Sequence, residues 1–221
     1  MMTADFSELR VKMVDGQIRT TDVTNLPLLT AMLEVPREAF VPDNRKPVAY
    51  IDEDILISET GDRYLMKPSP FAKMVQLADV GENDKVLVVG SGTGYGAAVL
   101  SRLAKAVVAL ESDAALADAS SATFARLGYD NVSVVRGPLP DGHKKAGPYD
   151  VIFVAGSVEE LPETLTAQLS EGGRLTVAEG LGNAGIARLY LKSNGVATGR
   201  RAFNAAVKPL PGFERAQGFV F

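Results

Sequence analysis

The sequence predicts an α/β protein built on a doubly wound, mostly parallel sheet, with an antiparallel C-terminal hairpin and an added N-terminal helical layer. Three observations carry this expectation. Short apolar runs alternate with amphipathic segments from Lys85 to Ala178, the order of a parallel sheet with crossover helices. The run Val86–Val89 meets Gly90, Gly92 and Gly94, and a segment with Ala98, Val99 and Leu103 on one face follows, which reads as strand, tight turn, helix. Beyond Gly180 the helical signal stops, and Ile186–Leu191 and Val196–Val207 flank Ser193-Asn194-Gly195, a hairpin cue.

The elements follow in chain order. Thr3 to Asp15 carries Phe6, Leu9, Met13 and Val14 at helical spacing, with Gly16 expected to end the helix. Asn25 caps a second helix that tolerates Pro27 in its first turn, buries Leu29, Met32 and Leu33, and stops at Pro36. Between Val35 and Pro70 the pattern loosens into a proline-rich, charged stretch with one short strand candidate, Ile55–Ile57. Its aromatics Phe40, Tyr50 and Tyr64 argue that it is ordered. A helix is expected over Pro70–Ala78, then the first strand from Lys85. Asp113 starts a helix that Gly128 terminates. Strands at Asn131–Arg136, Asp150–Ala155 and Arg174–Ala178 complete the parallel set, with a helix over Leu161–Leu169. The whole chain reads as one domain: residues 1–80 form the helical layer and irregular stretch, 81–180 the α/β core, and 181–221 the C-terminal strands.

Composition narrows the function classes. Hydrophobic residues make up 46% of the 221 and charged residues 23%, ordinary for a folded soluble chain. The net charge of −4, with no Lys/Arg stripe, makes nucleic acid a poor partner. The absence of cysteine excludes disulfides, thiolate metal sites and cysteine nucleophiles, and the single histidine, His143, leaves little room for a metal site or a triad. The start MMTADFSELR has no basic segment leading into an apolar core, and no run approaches membrane-spanning length. A cytoplasmic protein without a membrane or metal partner is expected.

The glycine turn is the chemical centre. It opens the backbone to a ligand at the carboxyl end of a buried strand, and the following helix points its positive end there. The next apolar run, Ala106–Leu110, ends on Glu111, where an acidic side chain can accept from ribose hydroxyls. The spacing Gly90-Ser91-Gly92-Thr93-Gly94 is similar to the first motif of methyltransferases that use S-adenosylmethionine (AdoMet). A dinucleotide site, read as Gly92-x-Gly94-x-x-Ala97, and a purely structural turn remain the alternatives.

Longer blocks carry a more specific resemblance. MVDGQIRTTDVTN, AMLEVPREAFVP, AYIDEDILI, VVGSGTGYGAAVLSRL, LGYDNVSVVRG, GPYDVIFVAGSVEELPETLTAQLSEGGRLTVAEG and KPLPGF occur in the order seen in the protein-L-isoaspartate O-methyltransferases, and the chain resembles that family over most of its length. The resemblance implies a Rossmann-like methyltransferase fold, AdoMet as cofactor, and transfer of methyl to the α-carboxyl of isoaspartyl residues in a protein or peptide substrate. It also implies site residues: Gly90, Ser91, Gly92, Thr93, Gly94, Tyr95, Glu111, Gly137 and Leu139 for the cofactor, and Tyr64, Leu65, Met66, Lys67 and Pro68 as the substrate loop.

Three positions depart from the family pattern. Met66 stands where the substrate loop normally has serine, Val88 where the strand before the glycines has an acid, and Pro138-Leu139 where an adenine-binding aspartate follows Gly137. A thioether cannot donate a hydrogen bond, so no catalytic residue is assigned, and Arg63 and Lys67 are read either as substitute donors or as solvated loop charges. The alternative function is a family-derived binding or regulatory protein without the reaction. Tyr64 and Tyr95 are read evenly as ligand-stacking or packing residues. Asp62 and the run Asp52-Glu53-Asp54 read as surface charge, and His143 as a solvated turn residue. Ser69 and Ser91 have no triad partner and neither lies in G-x-S-x-G.

Overall fold

The computed structural model describes residues 5–215. The expected helix start at Thr3 and the end of the C-terminal segment, 216–221, lie outside them. Helix α1 (Phe6–Met13) begins at Asp5, whose carboxylate accepts from the Ser7 and Glu8 N–H groups. Gly16 does not end the helical path: the chain continues through a π-helical turn, Val14–Ile18, and a 3-10 turn, Arg19–Thr21. Met13, Val14 and Ile18 are fully buried, so tertiary packing overrides the glycine. Helix α2 (Leu26–Glu34) starts at Asn25, which caps the Leu28 N–H as expected. After two 3-10 turns, β1 (Ile55–Leu56) and β2 (Tyr64–Leu65) pair antiparallel, and helix α3 (Pro68–Ala78) begins two residues earlier than the sequence suggests.

The main sheet is formed by β3 (Lys85–Val89), β4 (Ala106–Glu111), β5 (Val132–Arg136), β6 (Tyr149–Val158), β7 (Leu169–Glu179), β8 (Ile186–Ser193) and β9 (Val196–Asn204). Its spatial order is β5-β4-β3-β6-β7-β8-β9. The first five strands are parallel, and β8 runs antiparallel to both β7 and β9. This is the doubly wound architecture with an antiparallel edge that the sequence predicts. Asn194 and Gly195, at φ 53° and 78°, form the turn between β8 and β9. Helices α4 (Tyr95–Ser101) and α5 (Ala114–Leu127) join the strands on one side of the topological switch. Helix α6 is one short turn, Glu163–Ala167, because Pro162 sets its start and β7 already begins at Leu169.

Two apolar cores result. One lies between the sheet and the N-terminal layer and includes Met32, Phe40, Phe71, Tyr95 and Phe153; the other, on the opposite face, includes Leu110, Tyr149, Leu175 and Leu210. Helix α4 is buried on every side because the N-terminal layer covers the face it turns away from the sheet. Gln76 on α3 ties that layer down: its carbonyl oxygen accepts from the Thr24 and Asn25 N–H groups at 2.7 and 2.9 Å, and its amide donates to Asp22 O at 3.0 Å. Among the described residues no helix is long and apolar enough to cross a membrane. Gln76→Ala, which leaves all three backbone groups without this partner, is expected to lower stability by about 1–3 kcal/mol, read as a lower urea midpoint with an unchanged slope.

Candidate functional site

The switch point lies where β3 is flanked by β4 on one side and β6 on the other, and the carboxyl ends of these strands form the place where an open α/β sheet takes a ligand. Gly90 and Gly92 turn the chain there at φ +76° and +57°, values an L side chain rarely adopts. The space above them is filled by this chain's own side chains. A Cβ at Gly90 would lie 2.7 Å from Leu210 Cδ2, and one at Gly92 would lie 2.7 Å from Ile57 Cδ1. Leu210 arrives on the late KPLPGF block, which hydrogen-bonds to both backbone groups of Ser157 at the end of β6.

At the tip of β4, Glu111 is fully buried. Its Oε1 accepts from the Ser112 and Asp113 N–H groups at 2.8 and 3.0 Å, and its Oε2 accepts from the Gly92 N–H at 2.7 Å. Both oxygens also receive the guanidinium of Arg63: Nη1 bonds Oε1, and Nη2 bonds Oε2 at 2.7 Å. Arg63 is 2% exposed, which overturns its reading as a solvated loop charge: it is half of a buried, bidentate ion pair. Its place is set by the β1–β2 hairpin. The Ile57 N–H donates to Arg63 O, Ser58 Oγ accepts from the Arg63 N–H, and Asp62 ties the turn back to Ser58.

The other expected site residues divide between lining and packing. Ser91 Oγ is buried with no hydrogen-bond partner among the described residues. Thr93 donates its hydroxyl to Phe40 O, and Tyr95 is fully buried with its ring 5.6 Å from that of Phe71 and 6.0 Å from that of Phe40. Burial pushes the Tyr95 phenol up. Tyr95 thus packs against both rings and also borders the cavity at the glycine turn. Gly137 donates its N–H to Glu111 O, while the Leu139 side chain is 1% exposed in the core that also holds Leu110 and Leu210. In the stretch expected to be the substrate loop, Leu65, Met66 and Pro68 are buried, and Tyr64 and Lys67 are half-buried. Met66, 6% exposed, faces inward with its carbonyl held at 2.8 Å by Arg37 Nη2. Tyr64 lies beneath Lys208, whose Nζ is 5.0 Å from the ring centroid.

Two further assignments need correction. Asp52 and Asp54 are not plain surface charge: Asp52 accepts from the Ser69 N–H and Oγ, both at 2.8 Å, and Asp54 accepts from the Lys67 N–H at 3.0 Å. Together they fix the entry to α3, and burial pushes the Asp54 carboxyl up. His143 is half-buried rather than fully solvated. Reading the sequence alone missed Arg37, Ile57 and Leu210. Arg37 is fully buried, with Nε donating to Ala49 O at 2.7 Å and its Cζ 4.7 Å from the Tyr95 ring centroid, and burial pulls its pKa down. Its available signal was a lone cation between Pro36 and Phe40 in an apolar setting.

The residue types fit the amino-acid and ribose parts of AdoMet: a positive-φ glycine turn, an unpartnered buried hydroxyl, and an acid at the next strand tip. The space directly over Gly90 and Gly92 is closed. The cavity between Ile57, Tyr64, Met66, Gly90, Gly92 and Tyr95 measures about 20 Å³, room for about one water, against roughly 300–1,000 Å³ for ordinary small-molecule sites.

Comparisons with known proteins bear on the family and the fold. Residues 9–210 match the family model for protein-L-isoaspartate(D-aspartate) O-methyltransferase. A protein-L-isoaspartate O-methyltransferase of Koribacter versatilis is 39% identical over 171 residues, covering 77% of this chain and 76% of the relative. One from Rhodopseudomonas palustris is 41% identical over 168 residues, 76% of each. A solved protein-L-isoaspartate O-methyltransferase superposes with a TM-score of 0.80 at 31% identity, covering 92% of this chain and 66% of that one. A Plasmodium falciparum structure described as a methyltransferase of this kind, in complex with S-adenosyl-L-homocysteine, gives 0.77 at 23% identity over 90% and 96%, a likeness of fold.

Removing one partner of a buried ion pair strands the other charge. Glu111→Ala is expected to destabilise the protein by about 3–5 kcal/mol, measured by thermal or denaturant unfolding. A loss below 1 kcal/mol would mean that the pair is solvated.

Proposed function

Because this chain belongs to the protein-L-isoaspartate O-methyltransferase family, we propose that it uses AdoMet to methylate the α-carboxyl of isoaspartyl residues in damaged proteins and peptides. The observation that carries this reading at the level of the site is the pairing of the Gly90–Gly94 turn with Glu111 at the switch point. Gly90, Ser91, Gly92 and Gly94 would hold the amino-acid end of AdoMet, with the Ser91 hydroxyl as a free donor. Glu111 would accept from the ribose, and the main chain at Gly137 would border the base. AdoMet supplies a sulfonium-bound methyl group whose departure leaves a neutral thioether.

The protein's own task is positioning. A carboxylate nucleophile is already ionised at neutral pH, so no general base is required, and the absence of a histidine or cysteine from the site is no obstacle. The gain comes from holding two reactants in line while excluding water. The buried walls made by Ile57, Leu65, Met66 and Leu210 supply that exclusion. Met66 cannot donate to the substrate, so the donor has to come from beside it. Lys67 is the cation adjacent to Met66, and its main chain is fixed by Asp54. Its ammonium would hold the substrate carboxylate as a charge-assisted donor.

The direct test is transfer of labelled methyl from AdoMet to an isoaspartyl peptide and to its aspartyl twin. Label is expected in the first alone, and equal background in both would remove the assignment. For Lys67→Ala, loss of a hydrogen bond to a charged group worth about 1.5–3 kcal/mol should raise KM for the isoaspartyl peptide about ten- to a hundredfold, with a smaller change in kcat. An unchanged KM would take Lys67 out of substrate binding.

A further inference from the structure

The carboxylate that would receive the ribose is already saturated. A carboxylate offers about four lone-pair sites, and Glu111 takes the Gly92, Ser112 and Asp113 N–H groups together with both arms of the Arg63 fork. The three N–H donors belong to the glycine turn and to the start of α5, so they stay wherever the site is formed. Arg63 is the one donor carried by a separable element. We propose that Arg63 is a built-in competitor for the ribose position, so that the cofactor enters only when the Ile57–Arg63 turn withdraws and hands Glu111 from guanidinium to hydroxyl donors. This rests on the assignment of Gly90–Glu111 as the cofactor site.

Three further features point the same way. The same turn carries Ile57, whose Cδ1 covers Gly92, so withdrawal frees the space and the carboxylate together. The turn is lightly held. Its strands are two residues each, paired at Ile55–Leu65 and Leu56–Tyr64 and extended by the one Ile57–Arg63 backbone bond, and residues 59–62 are exposed. Such a ribbon has little stability of its own, and its inward anchor is the Arg63 fork. Arg63 also leaves its Nε buried without a partner, an unfavourable feature that withdrawal into water relieves. A guanidinium fork and a vicinal pair of hydroxyls both present two parallel donors, which lets one carboxylate serve both.

The test uses the full chain and S-adenosylhomocysteine, with binding read by calorimetry and backbone mobility by hydrogen exchange. Arg63→Gln and Arg63→Ala should bind the nucleoside at least tenfold more tightly than the wild type. Equal or weaker binding by the variants would overturn the competition while leaving the cofactor site in place; no binding by any of the three proteins would remove both. Because a variant could lose structure, the wild type supplies an independent reading. Saturating nucleoside should speed amide exchange across residues 57–63 while slowing it at Gly90–Gly94. Increased protection of 57–63 would mean that the turn closes over the ligand, and the proposal would fall.

Discussion

The buried pair of Arg63 and Glu111 is the interaction on which the site's present shape depends. Two charges removed from water are tolerable only when nearly every donor and acceptor is matched. Here the matching draws in four pieces of chain: the β1–β2 hairpin through Arg63, the glycine turn through the Gly92 N–H, the tip of β4 through Glu111 itself, and the start of α5 through Asp113. Asp113 in turn caps α5 by accepting from the Ala115 and Leu116 N–H groups at 2.8 and 3.1 Å. One carboxylate thus sets the relative positions of the strand end, the turn and the helix. It also decides whether the cleft is open.

The framework was legible because its signals are local. Val86–Val89 and Ala106–Leu110 are continuous apolar runs because both faces of those strands are buried, and Asn25, Asp113 and Asn194-Gly195 each act through bonds or dihedrals within a few residues. The glycine turn and its acid could be located for the same reason. What escaped reading depends on distant partners. Arg63 meets Glu111 across 48 positions, and nothing in the polar run around it marks a side chain turned inward. Gly16 has the chemistry of a helix stop, but the burial of Val14 and Ile18 on either side keeps the chain helical through it.

The departures from the family pattern acquire a physical setting. Val88 is fully buried in the core between the sheet and the N-terminal layer, where an unpaired acid would be unfavourable, and Leu139 fills the core on the opposite face. Met66 packs inward beneath the glycine turn with its carbonyl held by Arg37, so an apolar side chain suits the position it occupies. These are the residues of a site whose walls meet. The family's chemistry needs alignment and dryness more than proton transfer, and a cleft lined by Ile57, Met66 and Leu210 is suited to both once it admits its ligands.

The most direct measurement is a pair of crystal structures of the wild-type chain, grown without and with S-adenosylhomocysteine. The Arg63 fork is expected on Glu111 in the first. In the second, ribose hydroxyls are expected on the same oxygens, with the guanidinium withdrawn. A nucleoside bound with Arg63 still seated on Glu111 would contradict the account, because the carboxylate would then be shown to serve both at once.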